Sequence, residues 1–324
     1  MRVAVTGGAG FIGSHVVDAL LARGHEVRLV DRHPSRHHPP GRPPVVLTDL
    51  REPGAVRHAL TGCEVVVHLA AAADVGQVVA DPRSSEDVNT RGTLNVLEAA
   101  RDAGARRVVY ASTIWVYGEQ ADGVADEETF VGIPRHFYTA TKLAGEMYVR
   151  SLSGLYGFEH TILRFGIPYG PRAREAAVLP TFVRRAYEGQ PITIAGGGRQ
   201  SRRFVYVEDL ADGVARALAP AAADRTYNLV SGEDVTVLGV AELVRELVRP
   251  VEIVHVDGRA ADFRGAVVSG ERAARELGWR ASTPFREGAR RYVEWFLAAE
   301  EQRAATPRPR HSPLHGPEPG LATT

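Results

Sequence analysis

The chain has 324 residues, with 39 basic against 39 acidic side chains and a single cysteine, Cys63. That length allows a large core in one large or two medium domains, while the balanced charge gives no field toward nucleic acid or an anionic membrane. One cysteine excludes an intramolecular disulfide and fits a reducing cytoplasm; the start at Met1 enters a strand with no charged leader, and no apolar run approaches the ~20 residues that span a bilayer, so a soluble cytoplasmic protein is expected.

Val3-Ala4-Val5 is a short apolar strand that runs into Thr6-Gly7-Gly8-Ala9-Gly10-Phe11-Ile12-Gly13, after which Ile12, Val16, Ala19 and Leu20 recur at helical spacing until Gly24. A glycine loop between strand and helix is the pattern of a dinucleotide site. Gly7, Gly10 and Gly13 serve the tight turn, the approach of backbone to a pyrophosphate and the packing of helix on strand. The helix start at Phe11 and Ile12 faces the phosphates. The second strand, Glu26 to Val30, delivers Asp31, a carboxylate that accepts from an adenosine ribose and repels a 2′-phosphate, which favours NAD; Arg32 next to it softens that preference. Residues 33–44 are a proline-rich loop whose His33, His37 and His38 suggest a metal, but Pro34, Pro39 and Pro40 break any helix that would align them, so a solvated loop without metal is expected.

Strand Val45–Leu47 delivers Asp49 and Leu50, and strand Val65–Leu69 delivers Ala70, Ala71 and Ala72, small residues beside which a flat cofactor can lie against the backbone. A helix over 84–103 carries Asn89, either buried and functional or solvated. Strand Arg107–Tyr110 then leads to Ser112 and Thr113 at the crevice end of the sheet. Tyr138 and Lys142 stand four residues apart in a helical segment, hence one turn apart on one face, where an ammonium favours the phenolate and makes Tyr138 a candidate general base. Further on, Phe204 to Leu218 reads as strand then helix, Tyr227 to Val230 as strand, and Val237–Leu247 and 285–300 as helices. The alternation predicts an α/β fold, a Rossmann-type doubly wound parallel sheet with a smaller α/β substrate domain. The expected division is an NAD-binding domain over 1–165 to which 204–230 returns, a substrate-binding domain over 166–300 and a disordered proline-rich tail over 301–324.

Taken together, the glycine loop, Asp31, Asp49-Leu50, His68-Leu69-Ala70-Ala71, Ser112-Thr113 and Tyr138-x-x-x-Lys142 resemble the extended short-chain dehydrogenase/reductases that act on nucleotide sugars. The resemblance continues through Leu163-Arg164-Phe165, Tyr169-Gly170-Pro171-Arg172, the Gln200 to Asp209 segment and Leu277-Gly278-Trp279, and covers roughly residues 1–300. It implies NAD as cofactor, held by the residues named above together with Leu69, Asn89, Tyr138 and Lys142, and a UDP-sugar as substrate. It also implies that Tyr138 takes the proton of the sugar 4-hydroxyl while C4 gives up a hydride. Lys142 would hold the nicotinamide ribose and lower the tyrosine pKa, and Thr113 would bond the same hydroxyl beside Ser112. Arg202 and Arg259 would hold the diphosphate, and the Pro191–Ile194 segment would pack on the base, with Ile194 its contact.

The 4,6-dehydratases similar to this chain carry Asp-Glu directly after the threonine, and the decarboxylases usually a Glu at the second position; here those positions are Ile114 and Trp115. That disfavours both and leaves 4-epimerisation. Arg174, following Tyr169-Gly170-Pro171-Arg172, resembles the pattern of UDP-glucuronate 4-epimerases, where it is placed for the C6 carboxylate; a plain surface arginine is the competing reading. Ile167 stands where many members carry a substrate-binding Asn, and Arg203 where Asp is common. Open alternatives are an NAD(P)H-dependent 4-ketoreductase, a decarboxylase and a non-catalytic NAD-binding regulator. The resemblance also implies a homodimer through the helices around 84–103 and 138–153, with Leu143, Met147 and Leu152 at the contact or in the core.

Overall fold

The computed structural model describes residues 1–118, 123–257 and 266–305. Seven parallel strands form the central sheet: β1 (Arg2–Thr6), β2 (Glu26–Asp31), β3 (Val45–Leu47), β4 (Val65–His68), β5 (Arg107–Thr113) and two later strands, Glu159–Phe165 and Arg225–Leu229. From one edge the order is 225–229, 159–165, β5, β4, β1, β2, β3, so the chain winds outward in both directions from β1. The reversal lies between β1 and β4, where Thr6 sits in register with His68, and ligands of such sheets bind in the crevice beyond the strand ends at that point. Both faces are covered, which is why the strands are near-continuous apolar runs rather than alternating ones. On one face, Val16, Val17 and Leu20 of helix α1 (Phe11–Ala22) pack with Leu210, Val214, Tyr227 and Trp279; on the other, Val56 and Leu60 of helix α2 (Pro53–Leu60) pack with Val96, Leu97, Val149 and Phe158. Each such side chain contributes about 1.5–3 kcal/mol on burial.

A separate apolar cluster holds the later part of the chain together. Leu179, Phe182 and Val183 of helix Val178–Tyr187 meet Val240 and Val244 of helix Val237–Leu247 and Phe285, Tyr292 and Phe296 of the last helix. Tyr169 is its aromatic hinge, 5.9 Å from the Phe204 ring and 4.8 Å from Phe285. The Leu277-Gly278-Trp279 motif is structural. Trp279 Nε1 donates to the Asp209 carbonyl at 2.8 Å, and the Asp209 carboxylate accepts from Ser282 and Thr283.

Several boundaries differ from those read in the sequence. The helix expected over 84–103 is a run of segments, Pro82–Glu86, a wider π turn at Asp87–Arg91 and Gly92–Asp102. The last helix continues to Ala305, five residues into the expected tail, and residues 306–324 lie outside the described residues. Leu163-Arg164-Phe165 is the end of a full sheet strand. Of Leu143, Met147 and Leu152, only Met147 faces outward, whereas Leu143 and Leu152 pack against core clusters. Among the described residues no helix is long and apolar enough to cross a membrane, and no cluster of His, Cys, Asp and Glu could hold a metal ion, the three histidines of the 33–44 loop included.

Candidate active site

The glycine loop joins β1 to α1 with little room for any other residue. Gly7 has a φ of 72°, and a Cβ there would come within 2.8 Å of the Ala70 nitrogen. A Cβ on Gly13 would lie 2.0 Å from the Gly7 carbonyl oxygen, so the first turn of the helix closes on the loop only if that position is glycine. Gly10 is different: a Cβ on it would meet only the Gly7 carbonyl, and its remaining side is open to an approaching group. Gly10 is also the helix N-cap, and no side chain caps α1, so the N–H groups of Phe11, Ile12 and Gly13 are presented to an anion along with the positive end of the helix dipole. A dinucleotide pyrophosphate fits this cradle.

At the end of β2, Asp31 accepts from the Ala9 and His33 backbone N–H groups, each at 3.1 Å, which fixes its carboxylate against the glycine loop with acceptor capacity left for a ribose diol. Arg32 is exposed, and its charge helps hold the Asp49 carboxyl low. Asp49 is already engaged within the protein. Arg51 binds both its oxygens, with Nη2 at 2.6 Å from Oδ2, and these bonds pull its pKa down to about 2. The Leu50 side chain is sealed in the core and its carbonyl accepts from Asn95 at 2.7 Å, which leaves its backbone N–H. Leu69, Ala70 and Ala71 line the exit of β4 as half-buried residues. Asn89 resolves to the buried alternative: its Oδ1 accepts from Ala72 N at 2.7 Å, and its Nδ2 donates to the Ala72 carbonyl and to Thr141 Oγ1, each at 3.0 Å. Both donors are spent on protein, so Asn89 clamps the loop after β4 to the helix Phe137–Tyr156 instead of reaching a cofactor. Beneath it, Thr6, His68 and Thr93 form a buried hydroxyl–imidazole–hydroxyl chain, and burial holds His68 neutral with a pKa lowered to about 3.

The helix Phe137–Tyr156 carries Tyr138 and Lys142 on one face, toward the end of β5. Lys142 is buried, and its Nζ donates to the Ala111 carbonyl at 3.0 Å and lies 5.0 Å from the Tyr110 ring centre; burial lowers its pKa to about 8. The half-buried Tyr138 departs from expectation. Burial pushes its phenol up to about 12, and the charge that opposes this is the Arg174 guanidinium, not the Lys142 ammonium. The reason is positional: the ammonium is directed at a backbone carbonyl and an aromatic face. Thr113 Oγ1 accepts from Trp115 N at 3.3 Å, capping a short 3-10 turn over Ile114–Tyr117, and its own O–H remains to donate.

Ser112 does not join them. Neighbouring strand residues point to opposite faces, and the Ser112 hydroxyl donates to Glu146 Oε1 at 2.5 Å inside the protein. Glu146 in turn receives Arg164 bidentately, Nε at 3.0 Å and Nη2 at 2.7 Å, and Arg164 Nη1 donates to the Tyr117 hydroxyl at 2.9 Å. The role of Glu146 was missed in the sequence, though a signal exists. It falls one helical turn after Lys142 on a face shared with Val149 and Ser153, and a carboxylate on a buried face needs a buried partner.

Beyond Thr113 lies a cleft lined by Ile114, Trp115, Ile167, Arg202 and Arg203. Arg202 stands over the Trp115 ring with 5.6 Å to the centroid, and Arg203 is paired with Asp234 at 3.3 Å. Arg174 is more than half exposed, 3.6 Å from Asp74, and lies close enough to Tyr138 to act on its proton. The Ile194 side chain is 1% exposed within the later apolar cluster, so it is not the base platform expected; alternation along its strand turns Thr193 and Ala195 outward instead. Arg259 lies outside the described residues.

Residues 3–230 match the model of the NAD dependent epimerase/dehydratase family. The chain belongs to that family. NAD is accordingly its cofactor. The chain is 33% identical to the UDP-glucose 4-epimerase of Mycolicibacterium smegmatis over 91% of its own length and 98% of that protein. It is 30% identical to a probable UDP-glucuronate 4-epimerase of Rhizobium meliloti, over 91% of this chain and 97% of that one. The crystal structure of the Thermus thermophilus UDP-glucose 4-epimerase in complex with NAD superposes with a TM-score of 0.85 at 37% identity, covering 92% of this chain and all of that one. Nucleotide-sugar decarboxylases and a 4,6-dehydratase are similar to this family member at 30 to 32% identity.

Proposed function

We propose that the chain interconverts the C4 epimers of a UDP-sugar through a transient 4-keto sugar, with UDP-glucuronate favoured and UDP-glucose or galactose next. Tyr138 takes the proton of the 4-hydroxyl, Thr113 donates to the same oxygen, and Lys142 orients the ribose end of the cofactor. When bound, NAD supplies the hydride acceptor at C4 and, after the ketose has turned over, the donor to its opposite face, so no net oxidant is consumed. The observation that carries this reading is what stands beyond Thr113: Ile114 and Trp115, half-buried and apolar, where elimination of water or loss of carbon dioxide calls for acid and base groups. Epimerisation needs no acid or base beyond Tyr138.

The preference for a uronate rests on Arg174. Its guanidinium is solvent-accessible beside the reactive phenol and, among the described residues, is held by Asp74 and the Ala73 carbonyl, so a substrate carboxylate can take over the pairing. A charge-assisted pair of this kind is worth about 1.5–3 kcal/mol. Arg174→Ala is therefore expected to lower kcat/KM for UDP-glucuronate about 10- to 100-fold and to leave a neutral UDP-sugar within a few-fold of wild type. Steady-state kinetics on UDP-glucuronate and UDP-glucose check this, and equal losses on both would remove the uronate preference.

A further inference from the structure

The proline-rich loop, helix α1 and the turn at Tyr169–Arg174 meet at one carboxylate. Asp18 Oδ1 lies 3.0 Å from His38 Nε2 in the loop, and Asp18 Oδ2 accepts from Arg172 Nη1 at 2.7 Å in the turn. The His38 side chain is only 5% exposed and its Nδ1 is 2.8 Å from Ser35 Oγ, so the loop folds onto the helix around it. The helix grips the turn a second time, because His15 Nε2 donates to the Pro171 carbonyl at 3.0 Å. Burial keeps that imidazole neutral, with a pKa lowered to about 4.

The turn needs such support. Arg172 has a φ of 66°, the left-handed region that residues with a Cβ seldom enter. It follows Gly170 at a φ of 136°, and the turn is closed by Ala173 N donating to the Gly170 carbonyl at 3.2 Å. Two residues beyond Arg172 is Arg174. Asp18 itself is seven residues along α1 from Phe11, roughly 10 Å from the phosphate-facing end.

We propose that Asp18 is a positioning residue: by clamping Arg172 it sets where Arg174 stands, and by sharing its carboxylate with His38 it ties the sugar-side turn to the loop that follows Asp31 on the cofactor side. The kinetic consequence rests on the reading of Arg174 given above, while the structural one does not. Asp18 is about half exposed, so its pairings govern local placement more than global stability.

The test uses hydrogen exchange and kinetics on the full chain. In Asp18→Asn, amides over 35–42 and 169–174 are expected to exchange several-fold faster together, with NAD content and Tm close to wild type. KM for UDP-glucuronate is expected to rise about five-fold with kcat unchanged, and Asp18→Glu should recover part of it. In an Arg174→Ala background the same substitution should leave KM where it is. Arg172→Gly relaxes the backbone but removes the clamp and should speed the same amides. Wild-type exchange over 169–174 in Asp18→Asn or in Arg172→Gly would overturn the proposal, as would a KM rise from Asp18→Asn that persists in full without Arg174. Should Arg174→Ala itself change nothing, the uronate reading falls while the exchange data still decide the role of Asp18.

Discussion

Tyr138→Phe is expected to reduce turnover by at least 10²- to 10⁴-fold while the protein still folds and retains NAD. Only one hydroxyl is lost, from a side chain at the start of a helix whose hold on the sheet comes from other residues, Lys142 on Ala111 and Glu146 on Arg164 among them. Loss of a single hydrogen-bonding group typically shifts stability by about 0.5–1.5 kcal/mol. The pKa raised to about 12 by burial has a consequence for the mechanism. The protein by itself keeps the phenol protonated at neutral pH, with the exposed Arg174 opposing burial only in small part, and a positively charged cofactor, once bound, would favour its ionisation further. Single-turnover kinetics on the variant, with bound NAD measured by release and absorbance, check the expectation. Turnover near the wild-type rate would assign the base elsewhere.

Arg164→Met is expected to destabilise the fold by about 3–5 kcal/mol, a large part of the ~5–15 kcal/mol by which such proteins are stable. The side chains of Arg164 and Glu146 are 4% and 2% exposed, and the substitution strands a carboxylate whose remaining bond is to Ser112. The loss also reaches the Tyr117 hydroxyl, which accepts from Arg164 and donates to Asn228 Oδ1 at 2.8 Å and so ties the 3-10 turn after β5 to the strand Arg225–Leu229. A Tm lower by roughly 10 °C follows. Glu146→Gln keeps an acceptor and the shape but leaves the buried Arg164 guanidinium without a counter-charge, so it should cost a similar amount, whereas joining Glu146→Leu to Arg164→Met should return part of the loss, because no unpaired charge is then buried. Denaturant titration of the three variants checks the order. An Arg164→Met protein as stable as wild type would mean that the pair is solvated.

Where chain-local chemistry decides, the sequence could be read closely. The strand–glycine–helix start, Asp31 after β2 and the helix Val237–Leu247 follow from periodicity and turn residues, and the structure has them where the pattern puts them. Positions decided by contacts far along the chain were not legible. Ser112 and Thr113 are neighbours of the same chemical type, and only the packing of Glu146 below the sheet turns one inward. Arg164 reads as a surface charge until Glu146, 18 residues away, is brought beside it. Ile194 is apolar in either role, and strand alternation alone does not say which face meets the core. Asp18 gathers His38 and Arg172, 20 and 154 residues distant, so no local pattern announces it. The expected lowering of the Tyr138 pKa failed for a related reason, since spacing places two side chains on one face without fixing where the ammonium is aimed.

The proposed epimerisation requires that hydride leave C4 and return to it within one active site. It is tested most directly by incubating the purified protein, without added cofactor, with UDP-glucuronate and with UDP-glucose each carrying deuterium at C4, and following the products by NMR. The C4 epimer of UDP-glucuronate is expected to form with deuterium retained at C4, no label in solvent and no pentose. Solvent hydrogen at C4, release of carbon dioxide, or turnover that appears only when NADPH and a keto sugar are supplied would contradict it.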